Sequence, residues 1–297
     1  MKSIGKAGLA IGSALLLAAC SGATTAGRPG PGATTSAVPF GPVLSKNIEP
    51  VDNALARIPG AKNLSDLEAV MSALSTAAHD ASRALNVADA PAAVTGDRHD
   101  LANALSVLQS DATNVRLGIK ARDVCALDSA EAQLGAGEGL KSVPAVLAKL
   151  TAAGYAANLT VPRLPKQQSR SLDNGTMISK GKLHGDGEFK VDNGSKEDAV
   201  VSLVLGGKAV HSMFVAKGQK ADIQGVEDGT YDVYVSQGAD WDSAAKSFTQ
   251  SCAFTKFEDT FPYETGRTST SWSITLQPVV DGNAKTNDVD PNSFPQL

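Results

Sequence analysis

Val161-Pro162-Arg163-Leu164-Pro165 divides this chain into two kinds of pattern. Upstream, apolar residues recur at intervals of three and four, the period of a helix face; downstream they alternate, the period of a strand. The two prolines stop a helix, and the polar run from Lys166 to Ser171 follows as a boundary. The fold class read from this change is α+β and multidomain: an N-terminal antiparallel helical bundle, then an all-β sandwich.

Working upstream, Leu67, Val70, Met71, Leu74, Ala78, Ala81 and Leu85 share one helix face, and Leu101, Leu105, Leu108, Ala112, Val115 and Ile119 share another. Ser65-Asp66-Leu67-Glu68 has the spacing of a capping box, in which the serine oxygen caps a free N–H and Glu68 reaches back. Pro91 and Gly96 separate the first two helices, and a short turn makes them antiparallel neighbours. Val124, Leu127 and Leu134 begin a third helix, broken by Gly135-Ala136-Gly137-Glu138-Gly139. Leu140, Val143, Leu147 and Leu150 resume it, with Pro144 tolerated in a first turn. These stripes read as core rather than as a cofactor box. His79 and His99, each followed by aspartate, fall beside the stripes and read as solvated flanks, because neighbours on a helix diverge by about 100°.

Downstream, Ala199 to Leu205 is a valine-rich strand closed by Gly206-Gly207. Tyr231, Val233 and Val235 share one strand face. Trp272, Ile274 and Leu276 alternate with Ser271, Ser273 and Thr275, the pattern of a half-buried strand. Short strands with frequent turns make a β-sandwich. The domain reading is a leader over 1–19, a flexible tether over 20–44, the bundle over 45–165 and the sandwich over 172–290.

Ile223-Gln224-Gly225-Val226-Glu227-Asp228-Gly229-Thr230-Tyr231 resembles the strand-turn-strand signature of transthyretin-like, carboxypeptidase-regulatory-type sandwiches. Residues 191–204, Gly238-Ala239-Asp240-Trp241-Asp242 and Asp281-Gly282-Asn283-Ala284-Lys285-Thr286 resemble an uncharacterised domain of bacterial exported proteins. The resemblance implies an accessory or adhesion module and transfers no activity.

At the other end of the chain, Lys2 and Lys6 precede an uncharged apolar run from Ala7 to Ala18. A basic start, a short apolar core and small residues at a cut site make a secretory leader. The run falls short of the roughly 20 apolar residues that span a bilayer. Leu17-Ala18-Ala19-Cys20 resembles the box of a bacterial lipoprotein precursor, which implies lipid on the Cys20 thiol and Cys20 as the first mature residue. Ordinary cleavage without lipid is the other reading. Two acyl chains at about 0.8 kcal/mol per buried methylene hold a protein stably on a membrane. The Gly, Thr, Pro, Ala and Ser residues that follow cannot build a core and read as a spacer. The expected location is the extracytoplasmic face of the cell membrane.

Composition narrows the partners. With 42% hydrophobic residues the chain can bury real cores, and a net charge of -4 lacks the basic surface that nucleic acid requires. Of 3 cysteines, lipidation takes Cys20 and leaves Cys125 and Cys252. In an exported protein such a pair is expected to bridge; the other reading is two buried thiols.

Chemistry is sparse. The 4 histidines form no metal-binding pair, the cysteines lack close spacing, and there is no Gly-x-Ser-x-Gly elbow or phosphate-cradling loop, so no metal, cofactor or catalytic residue is assigned. Trp241 sits between Asp240 and Asp242 where a loop is expected, an arrangement that suits a sugar-stacking platform or a protein contact. The other reading folds the ring back onto the sandwich edge. The leading expectation is a non-enzymatic binding, adhesion or scaffold module, contacting an envelope protein or a cell-wall glycan. The alternative is a hydrolase or ligand-binding enzyme accessory that uses the acidic loops near Trp241.

Overall fold

A computed structural model describes residues 39–277 and 285–297. The leader, Cys20, the tether up to residue 38 and residues 281–284 of the exported-domain likeness lie outside the described residues. Among the described residues five helices come first: α1 (Phe40–Ala56), α2 (Leu64–Val87), α3 (Thr95–Ala121), α4 (Leu127–Ala136) and α5 (Gly139–Ala152). Ten strands follow: β1 (Met177–Lys180), β2 (Gly187–Asn193), β3 (Asp198–Leu205), β4 (Lys208–Val215), β5 (Gln219–Val226), β6 (Gly229–Asp242), β7 (Ser247–Phe257), β8 (Phe261–Tyr263), β9 (Ser271–Thr275) and β10 (Thr286–Asp288). This is the α+β order expected from the change of period.

The helices share one core. In α2 the buried residues are the seven of the first stripe, and α3 buries Leu101, Leu105, Leu108, Ala112 and Val115 of the second. Ser82 Oγ donates to Ala102 O, Ser75 Oγ meets Thr113 Oγ1 and Lys120 pairs with Glu68, so α2 and α3 run antiparallel. The start of α2 differs from expectation. Asn63, not Ser65, is the cap, its Oδ1 accepting from Asp66 N at 2.8 Å; Glu68 is left to face Lys120. Asn is as good a cap as Ser, and here it gains a second link because Asp66 Oδ2 accepts from Lys62 N and Asn63 Nδ2.

The bundle also begins earlier than residue 45. Phe40, Leu44, Ile48 and Val51 form a buried stripe on α1, and Phe40 packs edge-on against Tyr155 at 5.4 Å. Gly41-Pro42 reads as loop punctuation, yet a proline in the first helical turn loses only an N–H that has no intrahelical partner. Pro144, by contrast, lies inside α5 rather than in its first turn. Tight helix packing centres on Gly139: a Cβ there would sit 2.3 Å from the Leu108 backbone.

The strands form a seven-stranded sheet, ordered β1-β4-β3-β6-β7-β10 with β8 on β6, and a three-stranded sheet ordered β5-β2-β9. Pairs are antiparallel except β2 with β9. The inward faces enclose one core, with Phe189, Val191, Ile223 and Ile274 from the small sheet against Val201, Leu203, Val233 and Val235 from the large one. β3 is buried on both faces, which is why its sequence reads as a continuous apolar run. Its Val200 joins a second core on the far side of the large sheet, with Phe214, Trp241, Phe248 and Cys252. Residues 155–173 connect the two parts without regular structure. Alternate residues Tyr155, Ala157 and Leu159 pack on the helical core, and the segment then crosses to the sandwich.

Candidate functional site

The acidic motif lies where bundle and sandwich meet. The β6–β7 ladder shifts register between Gln237 and Ala239, and Gly238 makes that possible: a Cβ would sit 2.6 Å from Phe248 Cβ. Just beyond, Asp240 adopts φ 55°, the left-handed region that non-glycine residues seldom occupy. Ser251 on β7 and Arg122 at the end of α3 share that conformation. They face each other: Cys252 N donates to Arg122 O, Ser251 N to Asp123 O, and Cys125 N to Thr249 O. The α3–α4 connection thus pairs with β7 much as a short strand would, and a disulfide joins Cys125 to Cys252 with their Cα atoms 6.4 Å apart. Ser129 Oγ, in the first turn of α4, adds a donor to Thr249 O.

Arg170, carried in by the connecting segment, completes the junction. Its Nε and backbone N donate to Asp240 Oδ1 at 2.9 and 2.8 Å, and its Nη2 donates to Oδ2 at 2.8 Å. Thr249 Oγ1 supplies a fourth donor to Asp240. Arg170 Nη1 also reaches Asp242 Oδ2 at 2.9 Å, while Ala244 N and Ala245 N donate to Asp242 Oδ1. The Arg170 hydrogen bonds, reinforced by Thr249, hold the Asp240 carboxyl at about 2. Asp242 is also held below the usual carboxylate range, by the Ala245 amide first and Arg170 after it. The guanidinium is correspondingly pushed further up by Asp240. Both aspartates are therefore anions at neutral pH, and neither carries a proton to give.

The structure places Trp241 inside. Its ring is 2% exposed and packs edge-on against Phe248 at 5.0 Å and Phe214 at 6.2 Å. This removes it as a surface platform for a sugar or a partner, because strand alternation sends Trp241 into the second core while its two aspartates face the junction. Those aspartates line, with Ala126, Ser129, Lys166, Gln168 and Thr249, a polar cleft of about 340 Å³. Beyond Pro165 and Lys166 lies an apolar depression of about 380 Å³ between α4, α5 and the connecting segment.

Arg170 is the residue that sequence reasoning missed. It sits 70 positions from Asp240 in a stretch that reads as a polar linker, and no local pattern marks it. Elsewhere, His79 and His99 are exposed, and among the described residues no group of three or more histidine, cysteine or acidic side chains is arranged to hold a metal ion. No helix of the described residues is long and apolar enough to cross a membrane. No protein-family model, curated protein or solved structure matches this chain.

Proposed function

We propose that this chain is an exported, lipid-anchored, non-enzymatic module of the cell envelope, which displays a bundle and sandwich tied into one body for contact with an envelope protein or a cell-wall glycan. The observation that carries the reading is the Cys125–Cys252 disulfide. Disulfides persist outside the cytosol, and this one consumes two of the 3 cysteines, leaving Cys20 in its leader box. A binding role draws support from the junction. Asp240 and Asp242 spend their lone pairs on Arg170, Thr249 and backbone amides, so they are poorly suited to serve as the acid and base of a hydrolase. The likeness of 223–231 to regulatory-type sandwiches points the same way.

The test is to express the full chain in a bacterium that processes lipoproteins, fractionate the cells and take the mass of the N-terminal peptide. The expected peptide begins at Cys20 and carries a diacylglyceryl group, and Cys20→Ala moves the protein from the membrane to the soluble fraction. An unmodified chain released to the medium overturns the proposal.

A further inference from the structure

β9 is the outer strand of the small sheet and pairs with β2 alone among the described residues. Its register with β2 is regular from Ser271 to Thr275. Glu188 N donates to Thr270 O at one end of that ladder, and Leu276 N donates to Asp192 O at the other. In a parallel ladder both groups of every second residue point to the same neighbour. Residues 270, 272, 274 and 276 therefore spend their N–H and C=O groups on β2, and Ser271, Ser273 and Thr275 turn theirs away from the sheet.

Such a row of donors and acceptors, unpaired among the described residues, is a template for another strand, and folded proteins usually blunt it with charge, proline, a bulge or shortness. The other outer strands show these devices. β5 carries Lys220 and Asp222; β1 has an irregular register and ends in Lys180; β10 has three residues, the last an aspartate. β9, Ser-Trp-Ser-Ile-Thr, has none of them.

We propose that β9 is a self-association edge, at which two copies of this chain pair antiparallel about Ser273 and join their small sheets into one of six strands. The sequence of β9 matches itself in that register. Outward-facing backbone must meet outward-facing backbone, so Ser273 pairs with Ser273 and Ser271 with Thr275 of the second copy. The same register sets Trp272 of one copy beside Ile274 of the other on the inner face. Hydroxyl–hydroxyl and aromatic–β-branched pairs are both favourable across strands, and no like charges meet. Trp272 fits this role. Its ring stays only partly buried, with Nε1 donating to Pro262 O and Phe261 edge-on at 5.3 Å. A five-residue seam is small, so the association is weak and concentration-dependent.

Sedimentation velocity on the Cys20→Ala chain, over a concentration series, tests this without an acyl group to drive association. Ser273→Pro removes the central outward N–H and leaves the β2 ladder untouched, since proline is tolerated on an edge; Ser273→Lys places two like charges face to face. The expected result is a dimer that grows with concentration in the parent chain and is lost in both variants, with their circular dichroism and thermal transition unchanged. In the dimer the amides of Ser271, Ser273 and Thr275 exchange slowly. Should Ser273→Pro fail to fold, Ser273→Lys and the exchange rates decide. A monomer at every concentration overturns the proposal, as does a dimer that survives in the folded variants. Binding of a synthetic peptide spanning 270–276 by a chain that itself stays monomeric also overturns it, by assigning the edge to a foreign strand.

Discussion

Arg170 and Asp240 meet through three hydrogen bonds, none longer than 2.9 Å, with the carboxylate 3% exposed and the arginine side chain 42% exposed. The asymmetry matters. The arginine can return to water if its partner is removed, whereas the aspartate cannot.

Arg170→Ala is therefore expected to cost about 2–3 kcal/mol by urea unfolding, because it strands a buried anion, and Asp240→Asn distinctly less. Equal costs for the two variants would show that the pair acts by packing alone. The same pair sets an acid limit. Asp240 in the folded chain titrates at about 2, below its ordinary value near 3.9, so the stability it adds is present above about pH 4 and is lost as pH falls toward 2. In Asp240→Asn that part of the pH–stability curve should flatten.

A second acid-sensitive group is His211. It is 2% exposed on β4 and its Nδ1 has no hydrogen-bond partner among the described residues. Burial pushes its pKa down, with Glu227 pulling the other way. The unfolded chain binds the proton more readily, so stability is expected to fall as pH drops below about 6.5. Thermal melts at pH 7.5 and 5.5 should differ more for the parent chain than for His211→Gln; an unchanged difference would exonerate the histidine.

Reducing Cys125–Cys252, which closes a sequence separation of 127 residues, should lower the unfolding temperature under non-acidic conditions. On the chain-entropy model the bond contributes about 4–5 kcal/mol. Calorimetry with and without reductant measures it, and Cys125→Ser with Cys252→Ser should reproduce the reduced curve.

Two glycines separate packing from propensity. At Gly139 a new methyl meets the Leu108 backbone at 2.3 Å, whereas at Gly96 none of the described residues lies within 4 Å. Gly139→Ala is expected to destabilise by about 1–3 kcal/mol and Gly96→Ala to stabilise by up to about 1 kcal/mol. Opposite shifts in the denaturation midpoint check both.

At the start of α2, Asn63→Ala should cost about 1 kcal/mol and Ser65→Ala close to nothing. A larger loss at Ser65 would restore the cap to the position that the Ser-x-x-Glu spacing suggests.

Much of the fold was legible because burial imposes its period on the chain. The stripe on α2, the double-sided burial of β3 and the alternation in β9 all follow from how side chains point along a helix or a strand. Two of the misreadings share one cause: a local signal was outvoted at a distance. Gly41-Pro42 reads as loop until Tyr155 gives Phe40 something to pack on. Trp241 reads as a loop residue until the bulge at Gly238 keeps it in a strand and Phe214 and Phe248 close over it.

The sequence by itself determined the two halves, the turn between their periods and the identity of their core faces, since these depend only on neighbours three, four or two residues away. Which loop meets which strand was decided by tertiary structure alone. Arg170 finds Asp240 and Asp123 finds Ser251 across separations that no local period encodes, because a buried charge or an unpaired backbone group takes whichever partner folding brings within reach; the Cys125–Cys252 bridge is the exception, expected from the cysteine count in an exported chain.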